Sequence, residues 1–253
     1  MFEDINLIWH KIKSEVRKLS RIEIALKQLY NEMILQHRSF EQSLSYILSD
    51  KLSNQMFPNS FFQKIIENIY MSNPSIIQFA VKDIYAVYYK DPVINNYSSV
   101  LLYLKGFHAL QIYRISHQLW KTGRNALAVF LQHKTSMLFA VDIHPAANIG
   151  YGIMLDHATG IIIGETVLIE NNVSILHAVT LGSTGKKNGK RHPTIREGVI
   201  IGAGAKILGD IEIGFRTKIG AGSVVLHSIP ANVTAVGVPA RIVNKSVEKI
   251  SIC

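Results

Sequence analysis

Cysteine is almost absent from the sequence, and this limits both the fold and the chemistry. The single cysteine, Cys253, is the last of 253 residues, so no disulfide can form within the chain and a disulfide-stapled secreted fold is excluded. A lone terminal thiol also argues against a cysteine acyl-enzyme. Only 18% of residues are charged whereas 48% are apolar, which excludes a disordered chain and predicts a sizeable core.

Long hydrophobic runs are missing as well. No stretch approaches the ~18 apolar residues that a membrane helix needs. The first residues, MFEDINLIWHKIKSEVRK, are amphipathic and charged throughout, with no apolar core and no small-residue cleavage site. We therefore expect no signal peptide and no membrane partner, and the sequence predicts a soluble, cytoplasmic protein.

Acidic residues are fewer than basic residues. There are 27 Lys and Arg against 18 Asp and Glu, a formal net charge of +9, which can serve nucleic-acid binding. No recognition motif and no basic run interleaved with aromatic residues accompanies the charge, so we expect no nucleic-acid partner. The segment GSTGKKNGK at 182–190 also fails the spacing of a phosphate-binding loop, because its first two glycines are only three residues apart.

The first half of the chain has helical periodicity. Apolar residues recur at three- and four-residue steps up to about residue 135, and Pro74 stands where a helix would begin. A long helical stretch is expected from Ser98 to about Lys121. One apolar stripe consists of Ile5, Ile8, Trp9, Ile12, Val16 and Leu19. The pattern predicts an α-helical domain over residues 1–138 with a bundle core.

A six-residue repeat replaces this pattern near residue 141. Aliphatic residues stand six apart in three series, which are 143–161, 163–181 and 201–225. This period fits neither a helix nor strand alternation, and it predicts a triangular parallel β-helix with about eighteen residues per coil. The aliphatic residue points into the prism, and the position after it, often Gly, lies at a corner.

Two breaks interrupt the repeat. Leu155 and Ile163 are eight residues apart rather than six, and Leu181 and Ile201 are twenty apart rather than eighteen. We interpret the polar segment 183–197 as a loop extruded from the prism, where function is often found. The β-helix is predicted over 139–243, followed by a short flexible tail over 244–253.

Several motifs resemble those of one enzyme family. In the β-helix they are VDIHPAANIG (141–150), IMLDHATGIIIGET (153–166), VTLGSTGK (179–186), KRHPTIREGVIIGAGAKILG (190–209) and GVPAR (237–241), and the helical half contains KDPV (90–93). Together they resemble the serine O-acetyltransferases, which are hexapeptide-repeat acyltransferases. The resemblance implies an α + β fold in which an α-helical domain precedes a left-handed parallel β-helix, with β-helices in trimers and a dimer of trimers as the hexamer.

The resemblance also implies an activity and its residues. Acetyl would pass from acetyl-CoA, the co-substrate, to the hydroxyl of L-serine, giving O-acetyl-L-serine for cysteine biosynthesis, and no metal is expected. His157 of LDHATG is the expected general base and Asp142 of VDIHP its orienting partner. The residues expected to bind serine are Asp91, Asp156, Arg191 and His192. Those expected to bind acetyl-CoA are Gly182, Ser183, Ala203, Lys218, Ala221 and Arg241.

These residue types suit the chemistry. A serine hydroxyl is a poor nucleophile, so a base such as histidine must take its proton during attack on the thioester, and a carboxylate behind the ring fixes its tautomer. Asp142 and His157 are fifteen residues apart, near one coil, so we expect them to meet on neighbouring rungs. Arg191 can bind the serine carboxylate in a bidentate manner, while two aspartates suit its ammonium group.

Two other functions stay open. Another coenzyme A acyltransferase with this scaffold would act on a sugar or an antibiotic. A zinc enzyme resembling the β-helical carbonic anhydrases would need three histidine ligands, but the gaps between the β-helix histidines are 13, 20, 15 and 35 residues, with no close pair.

The chain departs from the family pattern in two places. It has Gly182-Ser183 where the family often has Gly-Gly, and the added β-carbon bears on the expected coenzyme A contact. The family's partner enzyme, O-acetylserine sulfhydrylase, captures a C-terminal isoleucine, whereas this chain ends in Ile252-Cys253. Docking of that partner through the tail is therefore a weak expectation.

Overall fold

The computed structural model describes residues 5–185 and 189–245. Within these ranges a bundle of eight α-helices precedes a parallel β-helix, as predicted. The helices are α1 (Ile5–Ile22), α2 (Lys27–Tyr30), α3 (Phe40–Leu52), α4 (Asn59–Ser72), α5 (Ser75–Lys90), α6 (Tyr97–Tyr103), α7 (Lys105–Lys121) and α8 (Asn125–Phe139). A 3₁₀ turn (Ile24–Leu26) and a π turn (Asn31–Leu35) flank α2. None of the described helices is long and apolar enough to cross a membrane.

The helical stretch expected from Ser98 to Lys121 is two helices. The chain breaks at Leu104, where the backbone is extended, and α7 then turns its first residues toward the β-helix. Gly106 permits this close approach, because a β-carbon there would lie 2.2 Å from the backbone oxygen of Leu155. The break was not visible in the apolar pattern, because both segments are buried along most of their length.

The β-helix has three faces of short strands. Face A consists of β1 (Val141–Ile143), β4 (Ile161–Ile163), β7 (Thr180–Gly182), β10 (Lys206–Leu208) and β13 (Val224–Val225). Face B consists of β2 (Asn148–Ile149), β5 (Leu168–Ile169), β8 (Thr194–Ile195) and β11 (Glu212–Ile213). Face C consists of β3 (Met154–Asp156), β6 (Ser174–Leu176), β9 (Ile200–Ile201), β12 (Lys218–Ile219), β14 (Val233–Gly237) and β15 (Ala240–Lys245). Within the described residues, β14–β15 is antiparallel and the other strand pairs are parallel.

The aliphatic positions of the repeat form the core of the prism. On face A, Ile143, Ile163, Leu181, Ile207 and Val225 lie one above another and are each at most 3% exposed. Burial of such a column removes apolar surface from water at every rung, which explains why the six-residue period is so regular.

The two breaks in the repeat are two insertions. Val141 pairs with Ile161, twenty residues on, whereas Ile162 pairs with Thr180, eighteen residues on. The extra pair of residues lies at the corner after β3. The next coil is longer still, since Thr180 pairs with Lys206.

The loop is shorter than the predicted segment 183–197. The chain returns to the prism at β8, because Ile195 is fully buried between Ile169 and Ile213. Residues 186–188 of the loop lie outside the described ranges. At the other end, β15 extends to Lys245, two residues into the predicted tail, and residues 246–253, with the Ile252-Cys253 end, lie outside the description.

Candidate active site

A cavity of about 400 Å³ lies between the helical bundle and the first coil of the β-helix. Asp91 lines it from the end of α5, Lys105 from the start of α7, and Asp156 and His157 from the end of β3. The structure thus brings together three of the six residues expected for catalysis and serine binding. Its walls come from both parts of the chain, which explains why no single motif describes it.

His157 projects from a strained corner. Between Asp156 and Ile161 the chain has four residues, where the next coil has two. His157 and Ala158 both have positive φ, 54° and 57°, a backbone conformation that is uncommon for residues other than glycine. The His157 side chain is 79% exposed, and its Nε2 is 3.8 Å from Asp156 Oδ1. The corner therefore holds the imidazole outside the prism and beside the cavity.

One edge of the prism continues from His157 along the coils. Strand register places His177, Ala203 and Ala221 at the same corner, between faces C and A, in the next three coils. Backbone hydrogen bonds from Gly204 to His177 (2.9 Å) and from Gly222 to Ala203 (2.8 Å) link them. The His157 and His177 rings have centroids 5.9 Å apart. Two residues expected to bind acetyl-CoA thus lie on the edge that carries the expected base.

The other residues expected to bind acetyl-CoA are spread more widely. Lys218 and Arg241 are exposed on face C. Gly182 ends β7 on face A, and a β-carbon there would lie 3.0 Å from Leu208 Cδ2. The Ser183 hydroxyl accepts a hydrogen bond from the Gly185 N–H at 3.1 Å. The six residues therefore do not form one cluster.

Arg191 and His192 lie at a different corner, between faces A and B. The guanidinium of Arg191 pairs with Glu165, and His192 is 7% exposed beside Thr166. Neither residue lines the cavity next to His157. Face A, three residues wide and so roughly 10 Å across, separates the two corners within one chain.

The environment of this second corner shifts several pKa values. Burial lowers the pKa of His192, and the Arg191 charge lowers it further. Burial also lowers the pKa of His144. The hydrogen bond from Arg191 holds the pKa of Glu165 below its usual range. Both histidines are therefore biased toward the neutral form.

Asp142 does not meet His157 on the neighbouring rung as expected. Its Oδ1 accepts a hydrogen bond from the Gln132 amide at 2.7 Å. Within the described ranges, no hydrogen bond or ion pair joins Asp142 to His157. On the rung after Asp142, the strand register places Ile162 rather than His157.

Sequence reasoning also missed several residues that contact the expected site residues. Gln132, Glu165, Thr166 and His177 all contact an expected site residue. His177 was detectable, since it follows His157 by twenty residues, the length of the first coil. Among the described residues, no group of three or more His, Cys, Asp and Glu side chains is arranged to hold a metal ion.

The fold and the repeats define a class of protein. The sequence-family model described as bacterial transferase hexapeptide (six repeats) matches residues 192–227. The chain therefore has the architecture of a hexapeptide-repeat transferase. The model of the N-terminal part of serine acetyltransferase matches residues 8–112 in the helical bundle.

Comparison with known proteins narrows the class. The serine acetyltransferase of Escherichia coli strain K12 is 56% identical over 243 residues, which cover 96% of this chain and 89% of that protein. A solved serine acetyltransferase in complex with cysteine is 55% identical, with a TM-score of 0.92 over 94% of this chain and 98% of that one. Another, in complex with CoA, is 53% identical, with a TM-score of 0.92 over 95% and 100%. The chain belongs to the serine acetyltransferase family.

Proposed function

We propose that the chain transfers the acetyl group of acetyl-CoA to the hydroxyl of L-serine, giving O-acetyl-L-serine and CoA, a step of cysteine biosynthesis. One observation carries the proposal: the cavity that joins Asp91, Asp156 and His157 opens beside the corner that continues to Ala203 and Ala221. A cavity large enough for an amino acid and an edge for an extended cofactor meet at one imidazole.

His157 acts as the general base. Its imidazole takes the hydroxyl proton of serine while the oxygen attacks the carbonyl carbon of the thioester, forming the new C–O bond. The C–S bond then breaks, and the leaving thiolate of CoA receives the proton from the imidazolium. Protons and electrons balance without an enzyme nucleophile. The exposure of His157, at 79%, keeps the ring accessible to both substrates.

Charged groups in the cavity and at the corner between faces A and B hold serine. Asp91 and Asp156 bind its ammonium group in the cavity, and Arg191 and His192 bind its carboxylate. Since face A separates these pairs within one chain, we propose that they meet between copies. In a trimer of β-helices, the loop of one chain would lie at the cavity of another chain. Two such trimers would form the hexamer. Asp142 is the proposed residue that orients His157 in that assembly.

Acetyl-CoA lies along the corner between faces C and A. Ala203 and Ala221 are small and have glycine neighbours with positive φ, Gly204 and Gly222, so the backbone is open to close approach. The cation of Lys218, exposed on the adjoining face, suits the phosphates, and Arg241, Gly182 and Ser183 complete the proposed set.

Cysteine is the proposed inhibitor. One solved relative is a complex with cysteine, and cysteine differs from serine only in having sulfur in place of the hydroxyl oxygen. The same ammonium and carboxylate contacts therefore bind it in the serine position.

The deciding experiment is thiol release from acetyl-CoA by the purified chain. We expect release with L-serine, little release with D-serine or sugars, and competition by cysteine against serine. Release with a sugar or an antibiotic but not with L-serine would establish another acyltransferase instead. Stoichiometric zinc in the active protein would favour the metal enzyme.

Two further expectations belong to the assembly and the location. We propose that O-acetylserine sulfhydrylase docks through the tail ending in Ile252-Cys253. Titration with that enzyme tests the docking, and absence of binding at full acetyltransferase activity would contradict it. Action in the cytoplasm also stays a prediction, which fractionation of cells producing the chain would check.

A further inference from the structure

Thr166 holds the segment that carries Arg191 and His192. Its hydroxyl oxygen accepts hydrogen bonds from the backbone N–H of Arg191 at 3.0 Å and of His192 at 3.2 Å. The same oxygen is 2.8 Å from Nδ1 of the His192 ring. One short side chain thus contacts two consecutive backbone amides and one imidazole nitrogen.

These contacts fix where the imidazole proton is. The backbone N–H of Thr166 also points to Nδ1, at 3.2 Å, and a backbone N–H can only donate. Both lone pairs of the Thr166 hydroxyl face the two amides, so the hydroxyl proton is free to point to Nδ1 as well. Nδ1 is therefore an acceptor, and a neutral His192 carries its proton on Nε2.

The surroundings keep the ring neutral. His192 is buried, and the charged or titratable groups that face it are Arg191, Glu165 and His144. Arg191 and a protonated His144 oppose a second proton on the ring, Glu165 favours one, and burial opposes it most. The balance lowers the pKa of His192 below its usual value.

The His192 ring packs against Gly164. A β-carbon at Gly164 would lie 2.1 Å from Nε2 and 2.2 Å from Cδ2 of His192, so the imidazole packs directly on the Gly164 backbone. None of the described residues forms a hydrogen bond with Nε2. The ring is therefore held on its Nδ1 side and offers Nε2–H to a ligand.

We propose that Thr166 is a positioning residue that fixes His192 as an Nε2–H donor for an oxygen of the substrate carboxylate. The proposal rests on the proposed function, in which His192 binds serine. It separates the two histidines chemically: His157 takes a proton, whereas His192 cannot act as a base at Nε2 because that nitrogen already carries one.

The tautomer can be measured without any activity. Nitrogen-15 NMR of the full chain, labelled at histidine, distinguishes protonated from unprotonated ring nitrogens, and loss of signals in His192→Asn assigns the residue. At neutral pH we expect His192 to carry its proton on Nε2 and none on Nδ1. Thr166→Ser should keep this tautomer, whereas Thr166→Val should show a mixture of the two tautomers. A protonated Nδ1 in the unchanged chain would overturn the proposal, whether or not the chain acetylates serine.

Kinetics test the consequence for binding. Thr166→Val keeps the shape but removes the hydroxyl, so the serine KM should rise roughly tenfold or more while the acetyl-CoA KM stays constant. Thr166→Ser should restore it. Since glutamine places its amide nitrogen near Nε2 and asparagine near Nδ1, His192→Gln should bind serine better than His192→Asn. An unchanged serine KM in Thr166→Val, or the reverse order of Gln and Asn, contradicts the proposal. If the chain acetylates no serine at all, the proposed function fails and the NMR measurement alone decides the tautomer.

Discussion

Asp83 and Arg114 form a buried ion pair that joins the helical bundle to the β-helix. Asp83 Oδ2 is 2.7 Å from Arg114 Nη2, and the two side chains are 0% and 4% exposed. Arg114 also donates to the carbonyls of Ile149 and Gly150, and Asp83 accepts from the Ile153 N–H. Because α5 carries Asp83 and ends beside Asp91, this pair sets the position of the cavity wall relative to His157.

Removal of one partner should destabilise the whole chain. Asp83→Asn leaves a buried guanidinium without its counter-charge, and such losses cost about 3–5 kcal/mol. Urea unfolding measures the change. The double variant Asp83→Leu with Arg114→Met should regain part of the stability. Its serine KM should stay raised, because the hydrogen bonds of Asp83 and Arg114 to the first coil are lost. Equal stability of Asp83→Asn and the unchanged chain would contradict this role.

The replacement His157→Ala should remove most of the catalysis and little of the fold. Loss of a general base lowers the rate by ~10²–10⁴-fold, and an exposed side chain contributes little packing. Steady-state kcat and thermal unfolding measure the two effects. His177→Ala, at the same corner in the next coil, is the matched comparison and should lose less than about tenfold, roughly one lost hydrogen bond. Near-normal kcat in His157→Ala would refute the assignment of the base.

Arg191→Ala should act mainly on serine binding. Loss of a bidentate charge-assisted contact should raise the serine KM by roughly ten- to a hundredfold, with the acetyl-CoA KM unchanged. Arg196 is a suitable control, since it also pairs with carboxylates, those of Glu170 and Glu212, outside the proposed site. The assignment fails if Arg196→Ala raises the serine KM as much as Arg191→Ala does.

The variant Gly106→Ala should disturb both stability and activity. Its β-carbon would lie 2.2 Å from the Leu155 backbone oxygen, so α7 must move away from the coil that carries Asp156 and His157. Overpacking of this kind costs about 1–3 kcal/mol. Gly123→Ala is the control, because its φ of +77° brings strain while no atom lies within 4 Å. We expect stability loss in both variants and a raised serine KM only in Gly106→Ala.

His108 should make the fold sensitive to acid. The ring is 1% exposed, its Nε2 lies 2.8 Å from the Leu101 carbonyl oxygen, and burial lowers the pKa of His108 to about 3. The unfolded chain binds a proton near pH 6.5 while the folded chain does not, so stability is lost as the pH falls from there toward 3, by up to about 1.4 kcal/mol per pH unit from this group.

A comparison of pH profiles isolates that contribution. His108→Gln keeps a donor for the Leu101 carbonyl but has no titration, so its unfolding free energy should fall less steeply between pH 6.5 and 4 than that of the unchanged chain. Other buried histidines contribute equally to both proteins. Identical slopes would show that His108 does not titrate on unfolding.

Local patterns predicted much of this molecule. The helical half, the six-residue period, the inward aliphatic column and the place of both insertions can be read from spacing alone, because a repeated coil imposes the same burial at the same step. Motif resemblance supplied His157 and Asp91, which the structure brings to one cavity. Strand register gives a coil of eighteen residues between Ile162 and Thr180, whereas the last coil, from Lys218 to Thr234, has sixteen.

Contacts between distant segments were decided only by the tertiary structure. Sequence spacing predicted that Asp142 and His157 lie on neighbouring rungs, whereas the strand register places Ile162 on the rung after Asp142. The loop ends at Thr194 because the side chain of Ile195 is buried between the neighbouring coils. The contact between Thr166 and His192 joins residues that are 26 apart in the sequence. The Asp83–Arg114 pair joins helices α5 and α7 to the first coil of the β-helix. A periodic sequence determines which residues face the core, whereas insertions, side-chain hydrogen bonds and packing between elements determine which polar groups meet.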